Sequence, residues 1–167
     1  MDDPVLRRRS IRKYTAEPVP DEHVERLLRA AMAAPSAANQ QPWQFIVIHE
    51  RSLLEAVPEV HPYSSMVPQA PLAILVCGDS RHQSRPQYWE QDCAAATENL
   101  LIAAAQFGLG AVWLGVHPLK ERVDGVRALL GIPRHITPFA LVPVGWPAED
   151  KPPSDRYDEQ RVHHDRW

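Results

Sequence analysis

Leu72-Ala73-Ile74-Leu75-Val76-Cys77 is an apolar run with no polar alternation, opened by Pro71 and closed by Gly78. A strand with one wet face alternates polar with apolar residues; a strand apolar on both sides needs cover on both faces of its sheet. The run therefore predicts a central strand between two layers. Upstream, Phe45-Ile46-Val47-Ile48 reads as a second strand, followed by a polar, proline-containing connection. Val24, Leu27, Leu28, Ala31 and Met32 recur at helical spacing after Pro20, with Asp21 as the expected N-cap and Pro35 ending the run. A short helix around Pro4 to Arg9 precedes it.

Downstream, residues 89 to 107 predict the longest helix, with Cys93-Ala94-Ala95-Ala96 and Ala103-Ala104-Ala105 flanking Leu100, Leu101 and Ile102. A helix apolar nearly all round must be buried on most of its surface, and in a chain this small the expected cover is a second subunit. Gly108 and Gly110 stop it. Val112-Trp113-Leu114 reads as a strand, and Leu119 to Leu130 as a helix closed by Gly131 and Pro133. Phe139 to Gly145 reads as the last strand, with Pro143 placing it at an edge or bulge. The stretch from Pro147 to Trp167 is rich in charge and proline yet ends on tryptophan, which predicts an arm laid over another surface.

With 167 residues, 44% hydrophobic and 23% charged, the chain reads as one globular domain over 1–167. A net charge of -3 argues against a nucleic-acid or anionic-membrane binder, which needs a basic surplus. Cys77 and Cys93 lie in neither a CxxC nor a zinc-ligand spacing and read as buried thiols. The N-terminus lacks the apolar segment of a secretory signal and no run reaches the length of a membrane span, so a cytoplasmic protein is expected.

Two blocks carry chemistry. Arg8-Arg9-Ser10-Ile11-Arg12 sets guanidiniums and a hydroxyl at alternating positions, a donor array suited to bidentate grip on a phosphate. As composition alone, Arg7 to Arg9 is equally a solvated charge run. Pro35-Ser36-Ala37-Ala38-Asn39-Gln40-Gln41-Pro42-Trp43 offers side chains that donate and accept in one plane, as a heterocycle with edge carbonyls and ring nitrogens requires; singly, these are loop residues. Other chemistries fall away. Gly108-Leu109-Gly110 follows a helix and carries Trp113 where a dinucleotide fingerprint needs glycine, the eight histidines form no metal-ligand spacing, and neither GxSxG nor a phosphate-binding P-loop is present. No metal and no catalytic side-chain nucleophile is expected.

These blocks, with Gly108-Leu109-Gly110-Ala111-Val112-Trp113-Leu114-Gly115, Asp155-Arg156-Tyr157-Asp158 and Arg161-Val162-His163, occur in an order and spacing that resembles the FMN-dependent nitroreductase family, in particular its short members. The resemblance implies an α+β fold, a nitroreductase-like, mainly antiparallel central sheet flanked by helices, in a swapped homodimer whose arm, 147–167, packs on the partner. It implies FMN held by Arg8, Arg9, Ser10 and Arg12, with Arg156 as a second phosphate contact. Pro35, Ser36, Ala37, Ala38, Asn39 and Gln41 would line the cofactor, Ser36 to Asn39 reaching it from the partner subunit. Leu114 and Gly115 would lie beside the isoalloxazine with a backbone N–H near N5, and Arg12 would stabilise negative charge on the reduced ring.

It further implies ping-pong hydride transfer from NADH or NADPH to a small-molecule acceptor: a nitroaromatic, a quinone or a free flavin. Flavin cleavage, reductive dehalogenation and non-catalytic FMN binding are the alternatives the same fold offers. This chain departs from larger family members in having no lysine over Tyr63 to Val67, Ser154 in place of a lysine before Arg156, and no inserted helices over the flavin. Among the aromatics, Trp113 reads as strand core, while Tyr88 and Trp89 open a helix within reach of a substrate pocket.

Overall fold

The computed structural model describes residues 3–167; Met1 and Asp2 of the N-terminal reading lie outside the described residues. The sheet orders its strands β1(Trp43–Ile48), β2(Leu72–Asp79), β5(Ile136–Gly145) and β3(Gly110–Ala111), with β4(Leu114–Gly115) also paired to β5. Every pairing is antiparallel. β2 is buried along its whole length, and its side chains divide as the unbroken apolar run requires. Leu72, Ile74 and Val76 face a layer of α2(Asp21–Met32) and α4(Trp89–Gln106); Ala73, Leu75 and Cys77 face one of α3(Arg51–Val60) and α5(Lys120–Leu130). The architecture is the expected α+β one, an antiparallel sheet flanked by helices on both faces.

Several local expectations give way to the tertiary structure. The polar connection before β2 contains α3, whose Leu54 and Val57 are buried although Pro58 sits in its last turn. α2 begins at Asp21 with Pro20 at the cap position and no side-chain cap bond, so Asp21 contributes charge to the first turn instead. The strand expected at Val112–Leu114 is two short pieces, β3 and β4, broken at Val112-Trp113. β5 is central, not an edge: it pairs with β2 on one side and with β3 and β4 on the other. Pro143 is tolerated because β3 ends opposite Val144 and β4 begins opposite Leu141. The ladder breaks where proline offers no donor.

α4 is likewise covered by its own chain more than expected. Cys93, Ala96, Thr97, Leu100, Leu101, Ala103 and Ala104 are buried against α2 and the sheet, leaving Ala94, Ala95, Glu98 and Ile102 half-exposed. Its small side chains serve close packing inside one protomer. Cys77 and Cys93 are buried free thiols, and burial pushes Cys77 up to about 12. Among the described residues no helix is long and apolar enough to cross a membrane.

Candidate functional site

α1(Pro4–Arg7) ends where Arg8 leaves the helical region, and residues 8–15 then run outside any helix or strand, with isolated bridges at Ser10 and Tyr14. Backbone bonds stitch them into place. Ser10 bridges Ala111 of β3 in parallel, and Ile11 N–H donates to the Ala111 carbonyl at 3.0 Å. The close approach depends on Gly110, where a Cβ would stand 2.6 Å from Cγ2 of Ile11. On the other side the tail zips onto the same segment. Thr15 N–H donates to the Trp146 carbonyl, Ala148 N–H to the Lys13 carbonyl, and Lys151 Nζ to the Ser10 carbonyl at 2.7 Å. Arg9 donates to the Pro152 carbonyl. Glu149 accepts the Arg12 N–H at 2.5 Å and pairs with Lys151 at 3.1 Å; the Arg12 bond is the main reason its carboxyl lies below the usual range.

This zipper distributes the first block over adjacent hollows. Arg8 shares a cavity of about 620 Å³ with Val5, Leu6 and the tail residues 153–157, Arg156 among them. Arg8 also pairs with Glu98 at 3.1 Å, while Arg156 is exposed and forms no ion pair among the described residues. Arg9 lines a smaller cavity of about 220 Å³ with Glu149 and Lys151. Arg12 lies at the third, of about 490 Å³, together with Leu114 and Gly115.

That third cavity holds residues with no recognisable sequence signal: His61, Tyr63 and Arg122, from the end of α3, the loop after it and the first turn of α5. The Gly115 carbonyl accepts from His61 Nε2 and from Arg122 Nη1, each at 2.9 Å. His61 is 1% exposed, and burial is the main cause that holds its imidazole below the ordinary value. Trp113, expected in the core, packs on Phe139 but also lines this cavity, because the break between β3 and β4 turns it there. Trp89 does the reverse: it packs between His117 and Phe139. A Cβ built on Gly115 would meet nothing within 4 Å, so this wall faces open space. Among the described residues no carboxylate lines the cavity, and neither Arg12 nor Arg122 forms an ion pair.

The second block lies elsewhere. Asp92, 5% exposed in the first turn of α4, accepts Ala37 N–H at 2.9 Å and Gln40 Nε2 at 2.5 Å; the Ser36 hydroxyl accepts Gln41 N–H at 3.0 Å. The loop is held tightly enough to keep Ala38, Asn39 and Gln41 at φ of 52°, 54° and 47°, a left-handed region costly for residues with a Cβ. Pro35, Ala38, Asn39 and Gln41 are exposed. The first block instead meets α4 where Arg8 pairs with Glu98; Arg7, just before the block, donates to the Ala105 carbonyl. At 1.5 Å per residue, the two blocks of one chain meet α4 about 9 Å apart along its axis, at Asp92 and at Glu98. The arm ends with Tyr157, Val162 and Trp167 exposed.

Known proteins resemble this chain in sequence and in shape. A protein of Methanothermobacter thermautotrophicus named "Putative NADH dehydrogenase/NAD(P)H nitroreductase" is 51% identical over 96% of this chain and 84% of its own. The crystal structure of a Clostridium acetobutylicum protein named "Putative NADH Oxidase" superposes with a TM-score of 0.96 at 42% identity, covering 99% of this chain and 100% of that one. An FMN complex from Desulfovibrio desulfuricans superposes with a TM-score of 0.83 at 31% identity, covering 98% and 95%. The model of the Nitroreductase family matches residues 5–146, and the chain belongs to that family.

Proposed function

We propose that this protein is an FMN-dependent NAD(P)H oxidoreductase, one FMN-binding unit over residues 1–167, with the cofactor laid along Arg8 to Arg12 and its ring in the cavity at Gly115. The observation that carries the reading is that cavity, which among the described residues has an open glycine wall, two guanidiniums and no carboxylate. A flat heterocycle that gains negative charge needs such a surface: a backbone it can approach closely, and fixed positive charge beside it. FMN, when bound, supplies the site that accepts hydride from NADH or NADPH and returns electrons to a nitroaromatic, quinone or flavin.

The chain's own residues bind, orient and compensate charge. Arg8 and Arg156, which share one cavity, grip the phosphate from two elements, with Arg9 and Ser10 beside them. Leu114 and Gly115 present backbone to the ring edge, and Arg12 compensates its charge. Ser36 to Asn39 reach the cofactor from a second copy of the chain; the separation of the two blocks along α4 supports this, since one protomer holds them about 9 Å apart on a rigid helix. The first part of the arm, to Pro152, is held by the chain's own residues 9–15 rather than by the partner; beyond it the arm covers the partner and removes Trp167 from water in this homodimer. Buried free thiols fit the reducing cytoplasm.

Because reductant and acceptor would occupy one place in turn, steady-state rates of the FMN-loaded protein with NADH or NADPH against a quinone should give parallel double-reciprocal lines. Intersecting lines would rule out a single shared place.

A further inference from the structure

We infer that Arg122 supplies the second positive charge of the FMN cavity and, with His61, fixes the Gly115 wall against which the ring would lie; the inference rests on the FMN reading above. A carbonyl oxygen has two lone pairs, and both of Gly115 are occupied, one by each donor at 2.9 Å. The two donors come from different elements, α5 and the end of α3, so the carbonyl cannot rotate without breaking both.

His61 is fixed in one form by its contacts. Its Nδ1 accepts the Tyr63 N–H at 3.3 Å, which leaves Nε2 to carry the proton given to Gly115. A second proton would meet the Tyr63 N–H head-on, next to the Arg122 guanidinium, and burial opposes the imidazolium as well. His61 therefore orients and adds no charge. The charge comes from Arg122, whose guanidinium carbon stands 5.3 Å from the centre of the Tyr63 ring. One of its N–H groups is spent on Gly115, and the remainder have no carboxylate partner among the described residues. Glu149, the carboxylate bonded to the Arg12 backbone, is already paired with Lys151. The cavity thus carries uncompensated positive charge on two sides, and a ligand that becomes more negative on reduction is favoured in its reduced form.

The experiment measures the dissociation constant of oxidised FMN and the midpoint potential of bound FMN in the wild type, Arg122→Gln, Arg122→Lys and His61→Gln. Loss of one charge near a partly solvated ion should weaken binding of reduced relative to oxidised FMN about tenfold in Arg122→Gln, a midpoint lower by about 30 mV for a two-electron couple. Arg122→Lys should keep the wild-type potential. His61→Gln should weaken FMN binding in both oxidation states equally, leaving the potential in place. Arg122→Met, which keeps the apolar stem, repeats the test should the Gln variant not fold. Equal potentials in the wild type and both neutral variants would overturn the assignment while leaving the FMN reading intact; failure of the wild type to bind FMN would overturn both.

Discussion

Adding one methyl group at Gly115 separates a cofactor wall from a structural glycine. The position lies in β4 with an ordinary φ, and a Cβ there would touch no atom within 4 Å. Gly115→Ala should therefore cost the apo-protein nothing. Reduced freedom of the unfolded chain should stabilise it by about 0.4–1 kcal/mol, which for a chain of this size raises the melting temperature by roughly 1–4 °C. The same methyl projects into the open space of the cavity of about 490 Å³. If a flat ring lies against that wall, overpacking should cost about 1–3 kcal/mol of binding, a loss of roughly 5- to 150-fold in affinity. Quenching of FMN fluorescence on titration with apo-protein measures the affinity, and a thermal melt of the same sample measures stability. Unchanged FMN affinity in a variant as stable as the wild type would refute the placement of the ring at Gly115; a large loss of stability would refute the reading of that wall as open.

Gly110→Ala should behave oppositely: its Cβ would stand 2.6 Å from Ile11, so circular dichroism melts should show a loss of about 1–3 kcal/mol in the apo-protein. Asp92→Ala removes the acceptor of Ala37 N–H and Gln40 Nε2 and should cost about 1–3 kcal/mol, measured by urea titration, together with weaker FMN binding. For His61, whose folded-state value is depressed, the unfolded chain binds the proton first. Stability should be full above about pH 6.5 and fall as pH drops below it, and denaturation midpoints across pH 5 to 8 should lose that slope in His61→Gln. Finally, Arg156→Ala and Asn39→Ala should each weaken FMN binding, and mixing the two variants should restore one intact site in each heterodimer, read as partly recovered high-affinity FMN; no recovery would contradict a site shared between chains.

How much of this was legible in the sequence depends on which physical signal each feature leaves. β2 was readable because burial on both faces demands an unbroken apolar run, and α2 because its buried stripe repeats at 3.6 residues. α3 was hidden by Pro58, although the spacing of Leu53, Leu54, Val57 and Val60 carried the helical signal. The central position of β5 was obscured by Pro143, whose missing donor is absorbed by a break in its neighbour that only the tertiary structure reveals. For the proposed site, Arg8, Arg12 and the Pro35–Gln41 loop stood out through their side-chain chemistry. The zipper between residues 10–15 and 146–152 was not, because it runs through backbone carbonyls that any residue supplies. His61 and Arg122 escaped for the same reason: they meet at one carbonyl, 54 and 7 residues away in the chain, and leave no motif.

In this reading the chain binds FMN and passes it electrons from a nicotinamide. Anaerobic titration of the FMN-loaded protein with NADH and then NADPH, followed by flavin absorbance, tests it most directly. The account predicts bleaching by at least one of the two, reversed on adding a quinone or nitroaromatic. FMN that binds and stays oxidised with both nucleotides would contradict it, as would a protein that takes up no FMN.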